Sequence, residues 1–405
     1  MRAVIHPGKA RGVIEAPPSK SMAHRLLIGA GLAQGESVVR GLDRSEDILA
    51  TVDCLCALGA KIRWEGNAAR VTGCDPRRAE PQPLDCGECG STLRFMIPLC
   101  LLSGRPARLR GSEALMRRPL SVYEDICRRQ GLRFEREGNE LLVKGPLAPG
   151  EYEVPGGVSS QFVSGLLFAL PLLSEDSTVR LVPPVESRPY MDMTVQTLEA
   201  FSVRVERKDG NTLRVPGRSV FRAVDAAVEG DYSNAAFFAA LNCVGGDVRL
   251  TGLSANSLQG DRAYLDYFPR LERGEAVLDV SDCPDLAPVL FAVAAACHGA
   301  RFTGTRRLRF KESDRGAAMA EELARFGVKM EVFENEAIVR PGGLHAPREA
   351  LSSHNDHRVA MALSVLCTLT GGTIEGAQAV RKSLPDYWDR LRTLGVEVEL
   401  HEYAL

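Results

Sequence analysis

The 405 residues exceed the usual size of one hydrophobic core, so two domains are the expectation. The 50 basic and 52 acidic side chains leave a formal charge of −2 with no basic tract, which argues against a nucleic-acid binder and means that any bound anion must be met by cations gathered locally. Met1 to Ala16 lacks the apolar core of a secretory signal and no stretch offers roughly 20 charge-free apolar residues, so a cytoplasmic protein without a membrane partner is expected.

In chain order, six segments read as helices rich in small apolar residues, each opened by a polar or glycine-containing turn. Ser19-Lys20-Ser21 opens onto Met22 to Leu32, Gly90-Ser91-Thr92 onto Leu93 to Leu102, and Ser159-Ser160-Gln161 onto Phe162 to Leu173. Asp231 to Asn234 opens onto Ala235 to Leu241, Asp282 to Asp285 onto Leu286 to Cys297, and His354 to His357 onto Arg358 to Leu369. A second, amphipathic helix follows each, then a turn and a strand: Asp47 to Leu58, Glu124 to Gln130, Asp192 to Phe201, Asp314 to Phe326 and Asp386 to Leu394. The strands expected after them include Lys61-Ile62, Arg133-Phe134, Val203 to Val205 and Val396 to Val398. The fourth copy, around Tyr264 to Arg273, reads as degenerate and short.

Strands alternating with two helices per unit imply an α/β protein, with three units in each of two domains. Helices apolar all round belong in a core. Their starts, with free N–H groups and partial positive charge, would form a focus for anions. The joins are expected near Pro17-Pro18 and Val228-Glu229-Gly230, giving a discontinuous domain of 1–17 and 230–405 around an inserted domain of 18–229.

Several of these starts carry groups suited to phosphate and carboxylate. Lys20, Ser21 and Arg25 share one; Gly87 to Arg94 offers a glycine loop short of the full phosphate-loop pattern. Ser159, Ser160, Gln161, Ser187 and Tyr190 suit a hydroxylated ring. Lys311-Glu312-Ser313-Asp314-Arg315, Asn355-Asp356-His357-Arg358, Asp285 and Lys382 supply acids, bases and cations. The eleven cysteines lie mostly in apolar runs, as free thiols do. Cys86-x-x-Cys89 has no second pair at zinc spacing, so no metal is expected there.

With these motifs in this order over essentially its whole length, the chain resembles the 5-enolpyruvylshikimate-3-phosphate synthases of the enolpyruvyl transferase family. The resemblance implies two domains of three βαβαββ units each around buried helices, in pseudo-threefold arrangement. It implies phosphoenolpyruvate contacts from Lys20, Gly90, Arg118, Gln161, Arg315, Arg358 and Lys382. Shikimate 3-phosphate would be held by Lys20, Ser21, Arg25, Ser159, Ser160, Gln161, Ser187 or Arg188, Asp285 and Lys311. Lys20, Asp285, Glu312 and Lys382 would move protons in an addition–elimination through a tetrahedral intermediate, with no cofactor or metal, in a monomer. Asp285 and Glu312 are assigned to the hydroxyl and methylene protons in unspecified order. Lys20 in the inserted domain and Lys311 and His357 in the other imply a site completed by domain closure. Gly90 leaves room for glyphosate, which occupies the phosphoenolpyruvate site in this family. Three positions depart from the common pattern: Glu88, where Asn is frequent; Ser91, where Thr is; and Arg307, where Asn is. The related transferases acting on UDP-N-acetylglucosamine fit less well, because Ser21 follows Lys20 and Gly111 to Pro119 contains no Cys.

Overall fold

The computed structural model describes residues 1–80, 82–274 and 276–402. The chain forms two compact units, Met1–Ser19 with Gly230–Leu405, and Lys20–Glu229. Among the described residues, each has its own apolar core.

All six apolar helices form: Lys20–Leu32, Gly90–Cys100, Ser160–Ala169, Tyr232–Cys243, Ala287–Ala296 and His357–Thr370. They are buried along nearly their whole lengths, which is where a helix without a polar face must go. Side chains finish four of the starts. Asp231 accepts from the Ser233 and Asn234 amides, Ser159 from Gln161, Asp356 from Arg358, and the Cys89 sulfur from Thr92. Where a glycine follows an amphipathic helix it takes a positive φ, as Gly131 does in closing Ser121–Gln130 at φ 67°, whereas Arg188–Ala200 ends without one.

The sheets repeat one pattern: two parallel strands joined through an apolar helix, then an antiparallel hairpin whose second strand pairs with the second parallel strand. In the inserted unit this gives Leu84–Asp85, Pro106–Arg110, Glu140–Lys144 and Arg133–Glu137 in spatial order. A second sheet runs Glu151–Pro155, Ser177–Val182, Thr212–Val215, Glu206–Arg207. The third borrows its first strand, Asp225–Ala227, from the far end of the unit and lays it parallel to Glu36–Arg40, beside Ala68–Thr72 and Lys61–Glu65.

The discontinuous unit has two such sheets. Ala276–Asp279, Ala300–Thr303, Glu336–Val339 and Met330–Val332 form one. In the other, Arg2–Ile5 lies between Gly372–Glu375 and Val398–His401, with Leu351–Ser352 at the edge. The fourth copy is truncated: Arg11–Glu15 pairs in parallel with Asp247–Thr251, and no hairpin joins them.

Two expectations need correction. The fourth copy is degenerate through its lost hairpin, but its helix Tyr264–Arg273 is ten residues long, as long as Ser121–Gln130. Val203 to Val205 is not the expected strand: Val203 and Val205 are buried against the core, and pairing begins at Glu206–Arg207.

Candidate active site

In the inserted unit, polar groups collect at the starts of the apolar helices. Lys20, the first residue of its helix, places Nζ 2.6 Å from Asp47 Oδ2, both side chains largely enclosed. Arg25, one turn on and buried, donates Nε to Thr194 Oγ1 at 2.9 Å, Nη1 to the Ser21 carbonyl at 2.7 Å and Nη2 to the Tyr190 carbonyl at 2.9 Å. Burial lowers its guanidinium to about 10. Ser187 lies just before Arg188–Ala200, the helix that carries Tyr190 and Thr194, and is buried at φ 56° in the left-handed region, a strained conformation for Ser.

The glycine turn is linked to Ser160–Ala169 by Arg94, whose Nη1 donates to Gln161 Oε1 at 2.6 Å; Gln161 Nε2 in turn donates to Ser91 Oγ at 2.8 Å. Gly90 has little room for a side chain, because a Cβ there would lie 2.7 Å from Arg118 Nη1 and 3.2 Å from Arg94 Nη1. Lys20, Ser21 and Arg25 therefore lie on one helix start, and Gly90, Ser91, Arg118 and Gln161 around another. Ser159 and Ser160 open the third.

The other unit is organised around Arg315, which is almost wholly enclosed, at 1% side-chain exposure. Its Nη1 reaches Asp285 Oδ1 at 2.7 Å, Nη2 reaches Glu312 Oε2 at 2.6 Å and Nε reaches Asp356 Oδ2 at 2.9 Å. Lys311 Nζ lies 3.1 Å from Asp285 Oδ1 and Arg358 Nη2 3.4 Å from its Oδ2. Burial pushes the Asp285 carboxyl up, but Arg358, Lys311 and Arg315 outweigh it and hold it well below the usual carboxylate range. Burial lowers the Lys311 ammonium, with Asp285 opposing. Lys382, enclosed at the end of the short helix Ala377–Lys382, donates to the Asn355 carbonyl at 2.6 Å. His354 and Asn355 both adopt positive φ, a turn that precedes the capping carboxylate of Asp356 and the buried His357 and Arg358. Asp285, Lys311, Glu312, Arg315 and Arg358 thus form one network.

Three participants were not singled out from sequence. Asp47, the partner of Lys20, reads as an ordinary acidic residue in the first turn of an amphipathic helix. Thr194, which receives Arg25, reads as a neutral helix residue. Asp261 is buried, and burial, followed by the nearby Asp285 charge, pushes it up to about 6. Arg307, by contrast, is buried and donates to the Ser281 carbonyl.

An α/β protein of repeated βαβαββ units, with cations and carboxylates gathered at the starts of its apolar helices, is of the enolpyruvyl transferase class in fold and anion-handling in chemistry. The family model for EPSP synthase (3-phosphoshikimate 1-carboxyvinyltransferase) matches residues 4–272 and 267–391, and the chain belongs to that family. A 3-phosphoshikimate 1-carboxyvinyltransferase of Clostridium kluyveri is 39% identical, over 98% of this chain and 97% of the relative. One from Clostridium novyi is 36% identical, over 96% and 97%. The EPSP synthase structure from Acinetobacter baumannii superposes with a TM-score of 0.81 at 24% identity, covering 98% of this chain and all of that one, a likeness of fold.

Proposed function

We propose that the chain transfers the enolpyruvyl group of phosphoenolpyruvate to the 5-hydroxyl of shikimate 3-phosphate, releasing phosphate, as a step of aromatic amino-acid biosynthesis. Full-length relatedness to 3-phosphoshikimate 1-carboxyvinyltransferases supports the reading. The observation that carries it is the Arg315 network, which gathers Asp285, Glu312, Lys311 and Arg358, four of the residues that the reaction calls for.

The substrates bring two phosphates and two carboxylates, and the two units answer with Lys20, Arg25, Arg118, Lys311, Arg315, Arg358 and Lys382. Lys20, Gly90, Arg118, Gln161, Arg315, Arg358 and Lys382 receive phosphoenolpyruvate. Lys20, Ser21, Arg25, Ser159, Ser160, Gln161, Ser187, Asp285 and Lys311 receive shikimate 3-phosphate. Asp285 is held ionised by three cations, so it can accept a proton but has none to deliver at the outset. It takes the proton of the attacking hydroxyl. Glu312 is left for the methylene proton, which, as a carboxylate paired with Arg315, it must first take up before delivering it, and Lys20, with Lys382, serves the departing phosphate.

The chemistry calls on no cofactor, and a cytoplasmic monomer suffices for it. Among the described residues no helix is long and apolar enough to cross a membrane. Phosphate release is expected with both substrates and not with phosphoenolpyruvate alone. Asp285→Ala and Glu312→Gln should each lower kcat by about 10²–10⁴-fold. Near-normal turnover in both would remove the assignment.

A further inference from the structure

One cluster in the inserted unit borders the site without a chemical step assigned to it: His24, Asp47, which pairs with Lys20, and Cys89. Each offers a ligand atom, the three atoms lie within 4.8 Å of one another, and all three residues are buried. They come from three different elements, the helices Lys20–Leu32 and Glu46–Ala57 and the residue that caps Gly90–Cys100. We propose that His24, Asp47 and Cys89 form a three-ligand site for a thiophilic divalent cation such as Zn2+, which competes with Lys20 for Asp47.

The geometry suits such an ion. His24 Nε2 and Cys89 Sγ are 3.8 Å apart. Zn–S and Zn–N bonds meeting at a tetrahedral angle would set them about 3.5 Å apart, so only a small inward shift is needed. On the far side of the ring, Nδ1 lies 2.8 Å from Thr51 Oγ1, which is itself 2.6 Å from Thr92 Oγ1. A proton on Nδ1 donated to Thr51 leaves the Nε2 lone pair facing the sulfur, the arrangement in which histidine binds metals.

The donor set of one nitrogen, one sulfur and one carboxylate oxygen selects borderline-soft ions over Mg2+ or Ca2+, which prefer all-oxygen shells. On binding, the Sγ–H bond breaks, a metal–sulfur bond forms and the proton leaves to solvent. Lys20 Nζ, 2.6 Å from Asp47 Oδ2, already supplies a positive charge at the same carboxylate. Ion and ammonium repel each other and share one acceptor, so the ion displaces Lys20. Two other groupings of potential ligands, His6 with Glu397 and Glu399, and Glu321 and Glu322 with His354, contain no sulfur.

The full chain, stripped with a chelator, is titrated with Co2+ as a spectroscopic probe and then with Zn2+ in competition. One equivalent of Co2+ is expected to give a thiolate-to-cobalt charge-transfer band that Zn2+ abolishes. Cys89→Ser should lose the band, while Cys56→Ser, which removes an exposed thiol, should keep it. Thr51→Val leaves all three ligands and should weaken binding by about 10–100-fold, which keeps the test open if Cys89→Ser misfolds. No band in the native chain, or an unchanged band in Cys89→Ser, overturns the site. The expected loss of phosphate release with Zn2+ and its return with chelator rest on the function proposed above. The cobalt band does not, so the two can fail separately.

Discussion

Arg315 satisfies three carboxylates from an enclosed position, and its removal would leave them facing one another with little solvent to separate them. Arg315→Ala is therefore expected to cost about 3–5 kcal/mol of stability, measured as a lower urea midpoint, beyond any loss of turnover. Asp261 carries the opposite kind of strain. Its folded-state value of about 6 lies above that of an unfolded Asp, so the folded chain holds this proton more tightly. The stability it contributes is fully present below about pH 4 and is lost as pH rises through about 6. Asp261→Asn should flatten that slope and gain about 1–3 kcal/mol at pH 8, read from urea midpoints at pH 4 and pH 8. Most charged residues of the network could be read from sequence because a Lys or Arg at the mouth of an apolar helix has few structural uses. Asp47 could not, since a carboxylate early in an amphipathic helix normally serves the helix dipole. Its contact with Lys20 joins residues 27 positions apart.

The helices Gly90–Cys100 and Ser160–Ala169 are in close contact, and Gly165 permits it. A Cβ there would fall on the Tyr123 hydroxyl and lie 2.6 Å from the Arg94 carbonyl oxygen. Tyr123 Oη also donates to that carbonyl at 2.7 Å. Gly165→Ala should thus overpack the core and cost about 1–3 kcal/mol, lowering Tm. Gly90→Ala meets mainly the mobile ends of Arg118 and Arg94, so it should move Tm little but raise KM for phosphoenolpyruvate. The six apolar helices were legible in sequence because small apolar residues cover every face and a polar turn precedes each one. Strands were less so. The Glu206–Arg207 strand is two residues long, and the valines ahead of it are buried for packing rather than pairing. The missing hairpin of the fourth copy was visible only as an irregularity, because a lost strand leaves no residues to read.

At the scale of the molecule, the chain leaves and re-enters the discontinuous unit at adjacent points. The Asp231 amide donates to the Pro17 carbonyl at 2.7 Å, and Pro18 bridges to Gly230. Replacing residues 20–229 by a short glycine-rich link should therefore leave Met1–Ser19 with Gly230–Leu405 able to fold, as a cooperative urea transition would report. That fragment keeps Asp285 and Glu312 but lacks Lys20, and no phosphate release is expected from it. The joins were legible because Pro17-Pro18 and Val228 to Gly230 interrupt otherwise regular alternation. The sheet partners of Arg2–Ile5 were not, because they come from the opposite end of the chain. That strand has a consequence for biogenesis. Its two neighbours, Gly372–Glu375 and Val398–His401, are synthesised only after every strand of Lys20–Glu229. The inserted unit is therefore expected to mature on the nascent polypeptide while Arg2–Ile5 waits until both of its partner strands have been made. Limited proteolysis of stalled nascent chains would register this as early protection of residues 20–229 and late protection of the amino terminus.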